Sequence, residues 1–266
     1  NYIKCYWVLE RDFQPLQDGV DLLPDTYSEV IFNFGDSCQI DVRQPEGGER
    51  PFVLPTCYRV GLFDQPLRLQ AHGLLRTIGV RFYAWGLYSL FDPASTGEPL
   101  VGNVVYALDQ GWHQLASALS SSCQEDDERA IQLLDMYLLE RLNTREREQH
   151  HWVAELPTWV QPEALNTVEQ WAGESHLSRR QLERRFQKLI GLSPKALARR
   201  VRFERTRDHL CHQPEIDLAT LAHAYGYADQ SHFGRDFKYF THRTPGQFVA
   251  QIQGVPEALR YGVAFL

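Results

Sequence analysis

Ser178-Arg179-Arg180-Gln181-Leu182-Glu183-Arg184-Arg185-Phe186-Gln187-Lys188-Leu189, followed by Ser193-Pro194, is matched 51 positions later by Asp229-Gln230-Ser231-His232-Phe233-Gly234-Arg235-Asp236-Phe237-Lys238-Tyr239-Phe240, followed by Thr244-Pro245. Ser178 and Asp229 are residue types that cap helices by accepting from the first free amides. Leu182, Phe186 and Leu189 then recur at i, i+4 and i+7, as do Phe233, Phe237 and Phe240. The spacing predicts two helices, each burying one apolar stripe.

Each helix is preceded by a shorter one. Val168, Trp171 and Ala172 lie on one face before Gly173, and Asp217 caps a helix carrying Leu218, Leu221, Ala222 and Tyr225 before Gly226. Two short-helix, turn, helix units are therefore expected, the arrangement by which a helix enters a major groove. In the first, Gln181 completes a capping box with Ser178, Gly191 supplies a left-handed stop, and Pro194 opens the next helix. Pro194–Gln213, uninterrupted by glycine and rich in arginine, predicts a connecting helix about 27 Å long, which would set the two units roughly one DNA turn apart.

The outer faces carry long polar side chains: Arg179, Arg180, Glu183, Arg184 and Gln187 on the first helix, and Gln230, Ser231, His232, Arg235 and Lys238 on the second. One helix with arginines outside is ordinarily a solvated surface. Two at a constant offset, each with a cap, a preceding short helix and a matched ending, point to a duplicated binding unit. Arg180, Arg184 and Arg235 suit base edges; Arg179 and Lys238 equally suit phosphate; Glu183 either accepts from cytosine or orients an arginine. Arg199, Arg200, Arg202, Arg205 and Arg207 on the connecting helix read as packing and surface charge.

The formal charge of −7 argues against a nucleic-acid partner for the 266-residue chain as a whole, but it is unevenly distributed. Residues 163–253 hold 14 Lys and Arg against 10 Asp and Glu, leaving 13 against 24 elsewhere, so a mildly basic part adjoins a strongly acidic one. No stretch approaches the ~18 apolar residues of a membrane span, and Asn1–Tyr6 lacks the pattern of an export signal. A soluble cytoplasmic protein is expected. The five cysteines are scattered, without zinc-ligand spacing, and read as reduced thiols.

Residues from about 1 to 110 read as short strands and turns: Val30–Phe34, Gln39–Val42, Phe52–Leu54, Tyr58–Phe63, Leu67–Gln70 and Arg76–Phe82. They favour a small sandwich or barrel. Helical spacing follows over Trp112–Ser121 and Asp126–Asn143, the second with a stripe of Ile131, Leu134, Leu138 and Leu142 that either packs on its own domain or forms a dimer seam. Phe32, Phe34, Phe63, Phe82, Tyr83, Trp85, Tyr88 and Phe91 are candidates to line an effector pocket, with Arg59 or Arg81 holding an anionic group; core packing explains most of them equally well. Histidines are too sparse for a metal-binding cupin, and phosphate-loop, dinucleotide and nucleophile-elbow motifs do not occur. No cofactor, metal or catalytic residue is expected.

Leu177–Lys188 with Gly191-Leu192-Ser193-Pro194, and Ala222–Phe233 with Arg235, Phe237-Lys238 and Thr244-Pro245, resemble the DNA-binding domain of the AraC-type (AraC/XylS) transcription regulators over about residues 163–250. The resemblance implies base-reading positions at Arg180, Glu183 and Arg184 in the first unit and at Gln230, Ser231, His232 and Arg235 in the second. It departs at Thr241-His242, where the family has an aromatic followed by glycine, so a different ending of the second helix is expected. Leu23-Pro24-Asp25, Glu29–Asp36 and Ile78–Phe82 are similar to a β-rich domain of unassigned ligand found before such modules.

The chain is thus expected to be α+β, an N-terminal β-rich barrel or sandwich, cupin-like in one form, with following helices, joined to an all-α domain with two helix-turn-helix motifs. Domains are placed at 1–145 (sensor or dimerisation), 146–162 (linker), 163–253 (DNA-binding) and 254–266 (tail). The resemblance implies a transcription regulator, activator or repressor, that binds double-stranded DNA and contacts RNA polymerase, with the β-rich domain forming a homodimer, sensing a small-molecule effector, or both; no membrane partner and no enzymatic activity are expected. The alternatives are a small-molecule-acting N-terminal enzyme, or a protein-interaction module, with the DNA-binding domain as an accessory.

Overall fold

The computed structural model describes residues 2–13, 20–43, 49–86, 105–107, 110–122, 126–145 and 168–253. Among them the strands are β1 Ile3–Phe13, β2 Val20–Leu22, β3 Tyr27–Asn33, β4 Cys38–Arg43, β5 Glu49–Val53, β6 Cys57–Val60, β7 Leu67–Ala71, β8 Gly73–Tyr83 and β9 Val105–Ala107. The helices are α1 Gln110–Ser122, α2 Asp127–Arg145, α3 Val168–Glu174, α4 Arg179–Leu189, α5 Pro194–His212, α6 Leu218–Ala224, α7 Gln230–Thr241 and α8 Pro245–Ile252. The chain is α+β and divides into two compact units, one drawn from Asn1–Gly19, Tyr27–Leu62 and Gln70–Ala154, the other from Val20–Thr26, Phe63–Leu69 and Glu155–Leu266.

The first unit is built on a five-stranded antiparallel sheet in the order β1-β8-β3-β6-β9. Its edge strands β1 and β9 each have one partner, so this sheet is open and the barrel alternative does not hold among the described residues. Strand alternation sorts its side chains. Val30, Phe32, Cys57, Ile78, Val80 and Phe82 face Trp112, Leu115, Ala116 and Leu119 of α1 and Ala130, Leu134 and Leu138 of α2 in one buried core. Burying each large apolar side chain there contributes about 1.5–3 kcal/mol. On the opposite face Gly79 is required by close approach, because a Cβ there would lie 2.1 Å from the Trp7 ring.

Several expectations are revised by this packing. Leu134 and Leu138 are fully buried in their own unit, so the α2 stripe is core and not a dimer seam; the side chain of Leu142 lies outside the described residues. Phe32 and Phe82 belong to the same core. Arg81 is held by Glu29 at 2.6 Å and lies over the Tyr27 ring, which occupies the charge that an anionic effector would have used. Tyr88 and Phe91 fall outside the described residues, as do the linker and tail placed at 146–162 and 254–266. Strand β1 was not anticipated, because its charged residues Lys4, Glu10, Arg11 and Asp12 break the apolar pattern; at a sheet edge such charges are tolerated and discourage further pairing.

In the second unit, helices α5 to α8 close over Phe203, Leu210, Cys211, Leu221, Ala222, Tyr227, Phe233, Phe237, Phe240, Phe248 and Ile252, joined by Leu23. The same unit includes the β2–β7 pair, with Val20, Asp21 and Leu22 opposite Leu69, Arg68 and Leu67. No described helix is long and apolar enough to cross a membrane, and no described group of His, Cys, Asp and Glu is placed to hold a metal ion.

Candidate nucleic-acid interface

Helix α4 begins as its sequence dictates. The Ser178 side chain accepts from the Gln181 amide and the Gln181 side chain accepts from the Ser178 amide, so two otherwise free donors are satisfied reciprocally. Leu182, Phe186 and Leu189 turn inward, with Phe186 stacked on Trp171 of α3 at 5.9 Å. Helix α7 is capped by Asp229, which accepts from the His232 amide at 2.6 Å, and it buries Phe233, Phe237 and Phe240.

The two copies repeat the same backbone hydrogen bonds, with one insertion. Leu177 N–H bonds Ala172 O in the first turn, and Tyr227 N–H bonds Ala222 O in the second, an offset of 50. Leu182 N–H bonds Ser178 O and Phe233 N–H bonds Asp229 O, an offset of 51. One extra residue therefore lies between the second turn and its recognition helix. Both turns pass through a left-handed residue, His176 at φ 51 and Gly226 at φ 71. The second recognition helix does end differently from the first, running one residue further and taking its left-handed residue as the cap itself: α4 has an ordinary cap at Ile190 before Gly191 at φ 75, whereas His242 caps α7 at φ 57.

The outward residues expected from the sequence divide by environment. Arg180 and Arg184 are exposed one helical turn apart. Arg179 is also exposed but pairs with Glu183 at 3.2 Å and Glu169 at 3.4 Å, so Glu183 orients an arginine. On α7, Gln230, Ser231, Arg235 and Lys238 are exposed, the last three at i, i+4 and i+7. His232 is half-buried, edge-on to Tyr227, and its Nδ1 accepts from Ala228 N–H at 3.5 Å. The sequence reading thus places nine side chains on two outer helical faces, with His232 the least accessible.

The connecting helix α5 is 19 residues long, about 28 Å. Its arginines are more deeply engaged than surface charge. Arg199 grips α7 through Asp236 at 2.9 Å and lies over Tyr239 at 4.3 Å; burial pulls its pKa down, but the Asp236 hydrogen bond and charge outweigh this and raise it. Arg200 pairs with Asp64, and Arg207 is held by Asp208 at 2.8 Å and by the Pro24 carbonyl at 3.3 Å, both arginines being buried. Residue spacing alone could not reveal this, because arginines at helical positions read the same whether solvated or paired.

Glu204 lies in the same cluster and accepts from Thr26 Oγ1 at 2.5 Å. Burial and the neighbouring Asp25 push its carboxyl up to about 7, against the opposing pull of Arg207. Between the unfolded value of about 4.3 and about 7 the folded chain holds a proton that the unfolded chain has released, so stability falls as pH rises through that window. Urea midpoints at pH 5 and pH 8 should differ more in the wild type than in Glu204→Gln, which keeps an acceptor for Thr26 but cannot ionise. Equal pH dependence in both would remove Glu204 as the responsible group.

A family profile described as a helix-turn-helix domain matches residues 171–251, and one described as a domain of unknown function, DUF6597, matches residues 1–97. The HTH-type transcriptional regulator MtrA of Neisseria gonorrhoeae is 33% identical over 87 residues, which is 33% of this chain and 29% of MtrA. The C-terminal unit carries an AraC-type helix-turn-helix domain. The chain spans under a third of the length of the relative it matches. Two crystal structures of ToxT from Vibrio cholerae share the fold: one at 10% identity and TM-score 0.51, covering 93% of this chain and 98% of that one, the other, from strain O395, at 11% and 0.50, covering 95% and 100%. The order of a strand-rich half followed by a helical half is thus one already seen in a folded protein.

Proposed function

We propose that this chain is a sequence-specific DNA-binding transcription regulator in which α4 and α7 read adjacent major-groove segments. The observation that carries the reading is the duplicated AraC-type unit: two capped helices with apolar stripes buried and polar faces outward, joined by a rigid 19-residue helix. Arg180, Glu183 and Arg184 on α4, and Gln230, Ser231, His232 and Arg235 on α7, would meet base edges, while Arg179 and Lys238 would meet phosphate. The basic excess of residues 163–253 over an acidic remainder supports contact confined to this unit.

The AraC-type resemblance supports action as an activator through RNA polymerase in the cytoplasm, where its duplex lies. A homodimer is supported by Met136 and Leu139, which stand 68% and 51% exposed on the outer side of α2, with the sedimentation coefficient of the full chain as the check. The β-rich half, matched over residues 1–97 by a domain of unknown function, is our candidate for binding a small-molecule effector. An N-terminal enzyme or a protein-interaction module is not favoured, because the matched helices are of the DNA-binding type.

Salt dependence tests the central reading. Binding of the full chain to a duplex selected from a random library should weaken with slope about −0.9 in log K against log salt for each phosphate contact, so several contacts give a steep line. A flat response would replace DNA by a protein partner.

A further inference from the structure

The second recognition helix ends on a residue that its backbone does not favour. Gly191 closes α4 within its own chain segment: its N–H reaches Gln187 O at 3.1 Å and its carbonyl accepts from Gln187 Nε2 at 3.1 Å. His242 occupies the matching left-handed position in α7, where a side chain costs about one order of magnitude in population. The residue matching Gln187 is Lys238, which is exposed.

Two side chains from far earlier in the chain stand at that end. Gln65 donates through Nε2 to the Tyr239 carbonyl at 3.2 Å and accepts through Oε1 from His242 Nε2. The Tyr239 carbonyl is one of the last four of the helix, which have no partner inside it. Asp21 accepts from Arg243 through Oδ2 at 2.5 Å and from Arg68 through Oδ1 at 3.0 Å. Gln65, Asp21 and Arg68 all belong to the second unit. Thr241 completes the closure, donating to the Phe237 carbonyl at 2.8 Å while its oxygen accepts from Arg243 N–H at 3.1 Å.

We propose that Gln65 and Asp21 are positioning residues for the second recognition helix: they hold His242 in the left-handed stop and Arg243 just after it, and so fix the direction in which Arg235 and Lys238 face the duplex. The first reading unit is closed by its own residues. The second depends on partners 174 to 222 positions away. Its accuracy on DNA is therefore set partly by two segments that lie, in sequence, among the strands.

The consequence for DNA rests on the reading of α7 as a recognition helix, so the test has an arm without DNA. In the full chain alone, Gln65→Ala should speed amide hydrogen exchange at His242 about tenfold while Ile190 is unchanged; adding His242→Gly, which removes the left-handed penalty, should restore protection. Asp21→Asn should act at the same helix end. On a selected duplex, Gln65→Ala should raise the protein concentration needed to protect the segment under α7 about tenfold, leave the segment under α4 unchanged, and again be reversed by His242→Gly. Unchanged exchange at His242 overturns the proposal, as does a loss that His242→Gly fails to reverse or one shared equally by both helices. The expected exchange pattern, with no duplex protected even by the wild type, would uphold the role of Gln65 and sink the DNA reading of α7.

Discussion

Replacing Phe237 by alanine is expected to cost the second unit about 3–5 kcal/mol, the usual range for emptying a buried phenylalanine site. Phe237 is fully buried and meets three aromatic rings edge-on: Phe203 at 5.5 Å, Phe233 at 5.6 Å and Phe248 at 5.3 Å. Those rings lie on α5, α7 and α8, so one side chain ties the connecting helix, the second recognition helix and the closing helix together. Ring pairs of this geometry add about 0.5–1.5 kcal/mol each beyond the area they bury. Total domain stability is only about 5–15 kcal/mol, so this one change removes a large fraction of it. Urea denaturation checks this, with Phe237→Leu recovering part of the loss because it refills most of the volume. A loss under about 1 kcal/mol for Phe237→Ala would mean the core around it collapses freely.

The second large effect is on recognition. Changing Arg180 and Arg184 together to alanine is expected to abolish preference for the selected duplex while leaving the fold intact. Both side chains are exposed on α4, away from Leu182 and Phe186, and substitution to alanine keeps the helix. A bidentate arginine contact to guanine is worth about 1–3 kcal/mol of discrimination, so losing two should lower specific affinity by roughly two to four orders of magnitude. Competition binding against selected and random duplex measures it. Loss confined to the selected site marks base reading. An equal loss on both would reduce the two residues to phosphate contacts, and no loss on either would remove them from the interface.

These two expectations differ in where they become visible. The role of Phe237 in a helix stripe follows from its spacing with Phe233 and Phe240, but its position between three helices does not. Arg180 and Arg184 are legible as an outward pair from the cap at Ser178 and the period of 3.6, since a helical face is defined within a few residues. Arg200 and Arg207 have the same spacing logic and the opposite fate, because Asp64 and the Pro24 carbonyl lie beside them only after folding. His242 combines both cases. Its departure from glycine is plain in the sequence and suggests a different helix end, yet the backbone keeps the glycine conformation with Gln65 and Asp21 placed around it.

The strand-rich half follows the same division. β3, β4, β6, β7 and β8 lie where alternation and turn residues predict them, because each signal is contained within a few neighbours. The place of β1 beside β8, and the burial of Leu134 and Leu138 under the sheet, required partners that no local pattern names.

The amino-acid sequence by itself determined the helices, their caps, their inward stripes and their outward polar faces, since hydrogen bonds from i to i+3 or i+4 and the helical period are set by residues close in the chain. Only the tertiary structure decided which strands pair, which arginines are buried and what holds the end of α7. Those outcomes depend on groups such as Tyr6 and Asp135, Thr26 and Glu204, or Asp21 and Arg243, separated by 129, 178 and 222 positions, and a contact at that range leaves no periodic mark on either segment.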